Sequence, residues 1–305
     1  MRGARETSKG YILSSMIQSL SKLSKPLKNP KLRAGLLIIS SLVVLAAISV
    51  ASPSNYKNWY SYQKDLPPSI SSLDTLLGTT TNGRSVFWIL VNAVKNSLYI
   101  GAVTSLIVVH IALLVGLIAG YRGGFADRTL MLLADSFIVI PGILLLTVLF
   151  MILRNIVTIN SLPLFLSITG WAATSRSIRS LVLSIREKES VIEAMLSGES
   201  GLKIITREIL PYIMPIYLID LANAALGAIA AESGLALLGL SILGEDTLGT
   251  MIYWALNYNA LLRGIWWWLA PPVIVLIILF IGLYLVALGL NEYYNPKIRR
   301  GVILL

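Results

Sequence analysis

The chain has 305 residues, of which 56% are hydrophobic and 13% charged, with a formal net charge of +10 and no cysteine. A mean hydropathy of +0.77 belongs to a polytopic helical membrane protein and excludes an ordinary soluble domain. The missing cysteine excludes disulfides, thiolate metal sites and a cysteine nucleophile.

Residues 1–33 form a basic segment. Within it Tyr11, Ile12, Leu13, Met16, Ile17, Leu20 and Leu23 recur at helical spacing between serines and lysines. That pattern predicts a short amphipathic helix lying on the bilayer surface, ended by the Lys25–Pro30 stretch. Six apolar runs then reach or approach the ~20 residues that cross a bilayer: 34–51, 98–120, 130–153, 157–174, 213–240 and 268–290. The fourth is the weakest, interrupted by Asn160, Pro163 and Trp171. Ser49-Val50-Ala51 resembles a cleavage site, but a 33-residue leader is too long for a signal peptide, so a retained first helix is expected. One membrane domain, 34–290, is followed by a 291–305 tail.

Lysine and arginine are unevenly shared between the segments that join these runs. One set of alternating segments (1–33, 121–133, 175–212, 291–305) carries 8, 2, 6 and 3; the other (52–97, 154–156, 241–267) carries 4, 1 and 1. The positive-inside rule makes the first set cytoplasmic, both termini included, and reads the charge as a topology signal open to lipid headgroups rather than to nucleic acid. The outer segment 53–97 is the longest. The second, 241–267, holds Tyr253, Trp254, Tyr258, Trp266 and Trp267, as either an interfacial belt or a docking surface.

Ionisable residues at membrane depth are costly and must face protein or water. There are four: His110, Asp135, Asp220 and Glu232. The sole histidine cannot make a metal site by itself and reads as packed and hydrogen-bonded. Asp135 stands six residues before Pro141, a proline that frees a carbonyl and bends its helix. The pair marks either a pore-lining kink or a structural hydrogen bond. Asp220 and Glu232 are twelve residues apart, which rotates one from the other by roughly 120°, so a paired acid–base mechanism is poorly supported. Small residues crowd the same run, and Gly116 and Gly120 give the second run a GxxxG spacing for close helix packing. Carboxylates at depth also admit a self-sufficient ion-coupled transporter using Asp135, Asp220 and Glu232.

Residues 187–211, EKESVIEAMLSGESGLKIITREILP, are a polar island with five glutamates on the cytoplasmic side. The segment is too long for a turn and reads as a docking element. No Gly-Lys dipeptide occurs, so the chain has no Walker A loop, and HExxH, GxSxG and GxGxxG are missing too. Nothing points to an enzyme.

Five ordered blocks carry a family resemblance: LGTTTNGRS from Leu77, AGYRGG from Ala119 with Asp127, the 187–211 segment with Gly198 and Ile209-Leu210-Pro211, ESGLALLGL from Glu232, and WLAPP from Trp268. With them the chain resembles the membrane subunits of binding-protein-dependent ABC importers of the dipeptide/oligopeptide permease family. The resemblance implies an all-α membrane protein with six transmembrane helices, a type I importer permease-like fold and both termini cytoplasmic. It implies that 187–211 is a coupling loop, with Glu193, Ala194, Gly198, Leu210 and Pro211 addressing an ATPase, Gly198 allowing a sharp turn and Leu210-Pro211 starting the fifth span. Asp135, Pro141, Asp220 and Glu232 would then belong to the translocation path or its gate. The implied partners are a homologous permease in a heterodimer, two cytoplasmic ATPase subunits that hold the ATP and Mg, and an extracytoplasmic solute-binding protein, with this chain holding no cofactor. The implied solutes are peptides, with oligosaccharides second. Departures accompany the likeness: the loop glutamate, Glu193, is displaced by one position from the family spacing, Glu208 replaces a histidine, and Thr80 and Ser85 replace aspartates.

Overall fold

Asn29 opens the first helix by accepting hydrogen bonds from the Lys31 and Leu32 amides at 2.9 and 3.2 Å, with Pro30 at the first helical position. The computed structural model describes residues 29–295. The amphipathic helix expected in residues 1–28 and most of the C-terminal tail lie outside the described residues.

Among the described residues the regular elements are all helices. Helix α1 (Pro30–Ala47) runs on through a 3₁₀ turn to Ala51. Then come α2 (Val86–Arg122), α3 (Gly124–Val139), α4 (Gly142–Leu153) and α5 (Leu162–Arg186). Two short helices, α6 (Glu189–Leu196) and α7 (Gly201–Ile204), precede α8 (Leu210–Leu237), α9 (Leu248–Asn257) and α10 (Trp266–Tyr294).

Among the described residues, four helical stretches are long and apolar enough to cross a membrane: 30–51, α2, 201–237 and α10. The α3–α4 pair adds a fifth if it is one span, broken by 86° at Ile140-Pro141. Proline cannot donate to the helix ladder, so the break falls where residues 130–153 placed it. The run 157–174 starts in a turn, and its part from Leu162 onward belongs to a longer helix, α5, whose second half carries Arg176, Arg179 and Arg186. Those arginines keep it from reading as a span by composition. Helix α2 begins at Val86, twelve residues before the apolar run it contains, so the preceding outer segment ends near Ser85 rather than at residue 97.

Helix α2 lies at the centre, packed against α1, α5 and α8. The GxxxG glycines explain its closest contact. A Cβ on Gly116 would stand 2.8 Å from Ile178 and from the Ser175 carbonyl, and one on Gly120 would stand 2.7 Å from Val182. Both neighbours lie on α5, so the glycines let these two helices approach backbone to side chain. At the basic end, Lys31 and Asn29 meet Glu292 across α1 and α10.

Candidate functional site

Four groups of residues and a cap lie along the bundle, beginning with a half-open cavity of about 300 Å³ between α2, α5 and α8. Thr104 lines it from α2, Thr169 and Thr174 from α5, and Asp220 and Asn223 from α8. Asp220 makes no hydrogen bond or ion pair with any described residue. Thr104 is almost wholly buried, and its hydroxyl has no hydrogen-bond partner among the described residues. A second, more open groove continues along α5 past Arg176, Ser177, Ser180 and Ser184, facing Ile216 of α8. Thr169, Ala173, Arg176, Ser180 and Ser184 follow at three- and four-residue spacing, one polar face of one helix.

The second group ties α3 to α5. The Arg179 guanidinium grips both carboxylate oxygens of Asp127 at 2.5 and 2.6 Å. Arg176 stands 2.8 Å from Asp135, a charge contact rather than an aligned hydrogen bond, since that carboxylate oxygen has none. Both members are roughly half exposed beside the groove. Asp135 therefore pairs with a charge on α5, and it does so before the Pro141 break.

The third group surrounds Glu232. This carboxylate is fully buried, and one oxygen accepts from Ser241 at 3.0 Å and from Thr247 at 2.7 Å. Thr247 also caps α9 in a capping box with Thr250. Glu232 thus holds the α8–α9 connection, and Asp220 faces a different space twelve residues away. The two carboxylates do not form one site. His110 contacts the Leu106 carbonyl at 2.7 Å and the Tyr217 hydroxyl, with the rings edge to face at 5.5 Å, a packed and hydrogen-bonded arrangement.

A cap closes the end of the bundle where α1 ends and α2 begins. Arg84 Nη2 donates to both Asp246 oxygens at 3.0 and 2.8 Å, and its Nε donates to the Tyr56 carbonyl. Burial, helped by the Asp246 charge, pushes the Tyr56 hydroxyl up to about 12, so it stays protonated. The aromatics of 241–267 pack inward here for the most part. Trp254 donates to the Leu243 carbonyl, Trp267 to the Thr79 carbonyl, and Tyr258 stacks on Trp268 at 5.6 Å. Trp266 remains exposed.

The polar island between α5 and α8 is the fourth group. Helix α6 ends at Leu196, and Gly198 turns the chain with φ +74°, the left-handed region that only glycine enters cheaply. The helix then restarts at Gly201, ten residues before Pro211, and 201–237 is one continuous helix. Helix α8 opens at Leu210-Pro211, as the sequence led one to expect, and helical backbone already leads into it from Gly201. A π turn over Ile205–Ile209, closed by the Leu210 amide on the Ile205 carbonyl, widens the helix where Pro211 brings no amide. On α6 and α7, Val191 and Ile204 are buried. Glu193 is exposed and Ala194 partly so, while Leu196 and Leu202 are 83% and 75% exposed, with Ile192 and Met195 beside them.

The family described as "Binding-protein-dependent transport system inner membrane component" matches residues 112–300, a stretch holding the groove, the Glu232 cluster, the polar island and the α5 and α8 walls of the cavity, while Thr104 lies before it. The chain belongs to this family. Among curated relatives, the Dipeptide transport system permease protein DppC of Bacillus subtilis is 30% identical over 278 residues, covering 90% of this chain and 84% of that protein. The Oligopeptide transport system permease protein OppC of Mycobacterium tuberculosis is 36% identical over 177 residues, 58% of this chain. That match spans only 61% of the mycobacterial protein's length. The Nickel transport system permease protein NikC of Escherichia coli is 28% identical over 87% of this chain and 94% of its own. An inner membrane component of this family, with several apolar spanning helices, is a multi-pass protein of the cell membrane. The residues unforeseen from sequence alone are Asp246, Arg176, Arg179, Thr104, Thr169, Thr174 and Asn223, whereas Arg84 stood in the LGTTTNGRS block without a role of its own. Only the arginines of α5 left a signal, as charges inside an otherwise apolar helix.

Proposed function

We propose that this chain is one membrane-spanning subunit of a binding-protein-dependent ABC importer for peptides. It would form a heterodimer with a homologous permease, and the solute would pass between them along the α5–α8 face. Two ATPase subunits holding ATP and Mg would bind the basic end, and an extracytoplasmic solute-binding protein would deliver solute to the cap. In this arrangement α5 and the broken α3–α4 pair complete six spans, both termini are cytoplasmic, and the fold is that of a type I importer permease. The names of the dipeptide and oligopeptide relatives support peptides as the cargo.

One observation carries the coupling role. The α6–α7 elbow presents Leu196 and Leu202 almost bare, beside Ile192 and Met195, around a glycine turn rooted in the bundle by Val191 and Ile204. A contiguous apolar patch on a membrane protein's polar side marks a protein partner. Partner closure can do work on the elbow only if the contact is stronger in one state than another. In sealed vesicles holding this chain, its partner permease, the ATPases and the binding protein, peptide uptake is expected to require ATP. Uptake by this chain alone under an ion gradient, without ATP, would overturn the proposal in favour of an ion-coupled carrier.

A further inference from the structure

We propose that Asp220 makes the cavity between α2, α5 and α8 a binding site for an alkylammonium group, the amino terminus or a lysine side chain of a peptide in transit. The inference rests on the peptide-importer reading and adds what the path recognises. A carboxylate at membrane depth must face a partner charge or water, and no described residue pairs with Asp220. Its surroundings carry no other charge: the polar residues Thr104, Thr169, Thr174 and Asn223 stand among apolar ones such as Val108 and Leu166.

An ammonium group brings three N–H donors and no acceptor. The cavity offers acceptors, among them the buried Thr104 hydroxyl, which has no partner among the described residues. Arg176, the next charge along α5, lines the separate groove and is engaged by Asp135. It therefore leaves the negative charge at Asp220 uncancelled. A volume of about 300 Å³, at the small end of ligand pockets, admits one residue of a peptide rather than the whole. The site reads one cationic end and leaves the remainder of the solute unspecified.

The chain contains no cysteine, so a single thiol can report the local charge. In the assembled importer, Ala224→Cys places one in the cavity wall one helical turn from Asp220. Gly227→Cys is the second position, because a Cβ there meets nothing within 4 Å. The reaction rates of 2-aminoethyl and 2-sulfonatoethyl methanethiosulfonate are compared with and without Asp220→Asn. The cation-to-anion rate ratio is expected to fall about ten-fold in the asparagine variant, as a unit charge ~6 Å away in a water-like medium requires. Propylammonium chloride should slow labelling when Asp220 is present, and sodium chloride at equal ionic strength should not.

An unchanged ratio would overturn the proposal, and so would equal protection by sodium. The first result is the one expected if Asp220 is paired with the partner permease. Uptake of trialanine, run alongside, tests the importer reading separately. Failed uptake with an intact reagent ratio sinks peptide transport while leaving the cationic site standing.

Discussion

Removing the Asp246 carboxylate isolates the most buried ion pair of the cap. The side chains of Arg84 and Asp246 are 12% and 9% exposed, and the contact is bidentate. Breaking a buried pair by deleting one partner costs about 3–5 kcal/mol. Arg84 keeps its bond to the Tyr56 carbonyl and a little solvent, so the cost of Asp246→Ala here is about 2 kcal/mol. The loss is local, because a second clamp joins Arg263 to Asp65 and Thr81. The cap should therefore open more often while the bundle stays folded. A change of about 2 kcal/mol raises the open population ~30-fold. Trypsin cleavage at Lys57 and Lys64 in detergent-solubilised protein reads that population when reclosing outruns cutting. The expected result is cleavage faster by one to two orders of magnitude, with Arg84→Met/Asp246→Leu recovering most of the difference. Wild-type cleavage rates in Asp246→Ala, or a double variant that opens as freely as the single one, would refute the role given to the pair.

Three further outcomes follow from the same contacts. Gly120→Leu forces a side chain against Val182 and the Arg179 carbonyl and should destabilise the detergent-solubilised protein by about 1–3 kcal/mol, read as a lower unfolding temperature. Thr247→Ala removes the α9 cap and one of the two donors to Glu232, costing about 1–2 kcal/mol; slower trypsin cleavage at Arg263 than in wild type would contradict it. Leu196→Ser with Leu202→Ser changes two side chains that touch solvent, so stability should hold while ATPase subunits co-purify less well, measured by pull-down on the assembled complex.

Apolar periodicity located the long helices because lipid and core both demand apolar side chains, and Pro141 announced its own break. It failed where polarity served packing or passage. The first turns of α2 carry Asn92, Lys95 and Asn96, and these made a helix look like a loop. Asn92 bonds Ser52 and Asn96 bonds the Asp246 carbonyl, so these polar groups belong to the cap. Helix α5 outruns its apolar stretch because Arg176, Ser177, Ser180 and Ser184 line a groove, Arg179 pairs with Asp127, and Arg186 donates to the Gly120 and Tyr121 carbonyls. Pro211 marked the start of α8, and the π turn before it absorbs its missing amide. Asp220 was visible as a charge in an apolar run, whereas its neighbours Thr104 and Thr169 lie on other helices and become a site only once the helices pack. Arg84 and Asp246 are 162 positions apart, and no local pattern joins them.

The continuity of 201–237 decides how the elbow and the cavity could speak to one another. At 1.5 Å per residue, 37 helical residues make a rod of about 55 Å. Asp220 sits near its middle, about 28 Å from Gly201. The Gly198 turn lies just before one end, and Glu232 anchors the other to the α9 cap through Thr247 and Ser241. With the far end pinned by a buried carboxylate, a push on the elbow must tilt the rod, bend it, or be absorbed. Bending has two available places, the π turn at Ile205–Ile209 and Pro215 inside α8, and both lie between the elbow and Asp220. A tilt of ~10° about the pinned Glu232 moves Asp220, twelve residues away, by about 3 Å and the elbow by about 8 Å. That is enough to separate a carboxylate from a bound ammonium. The same helix that carries the docking elbow would thereby set the grip on the solute.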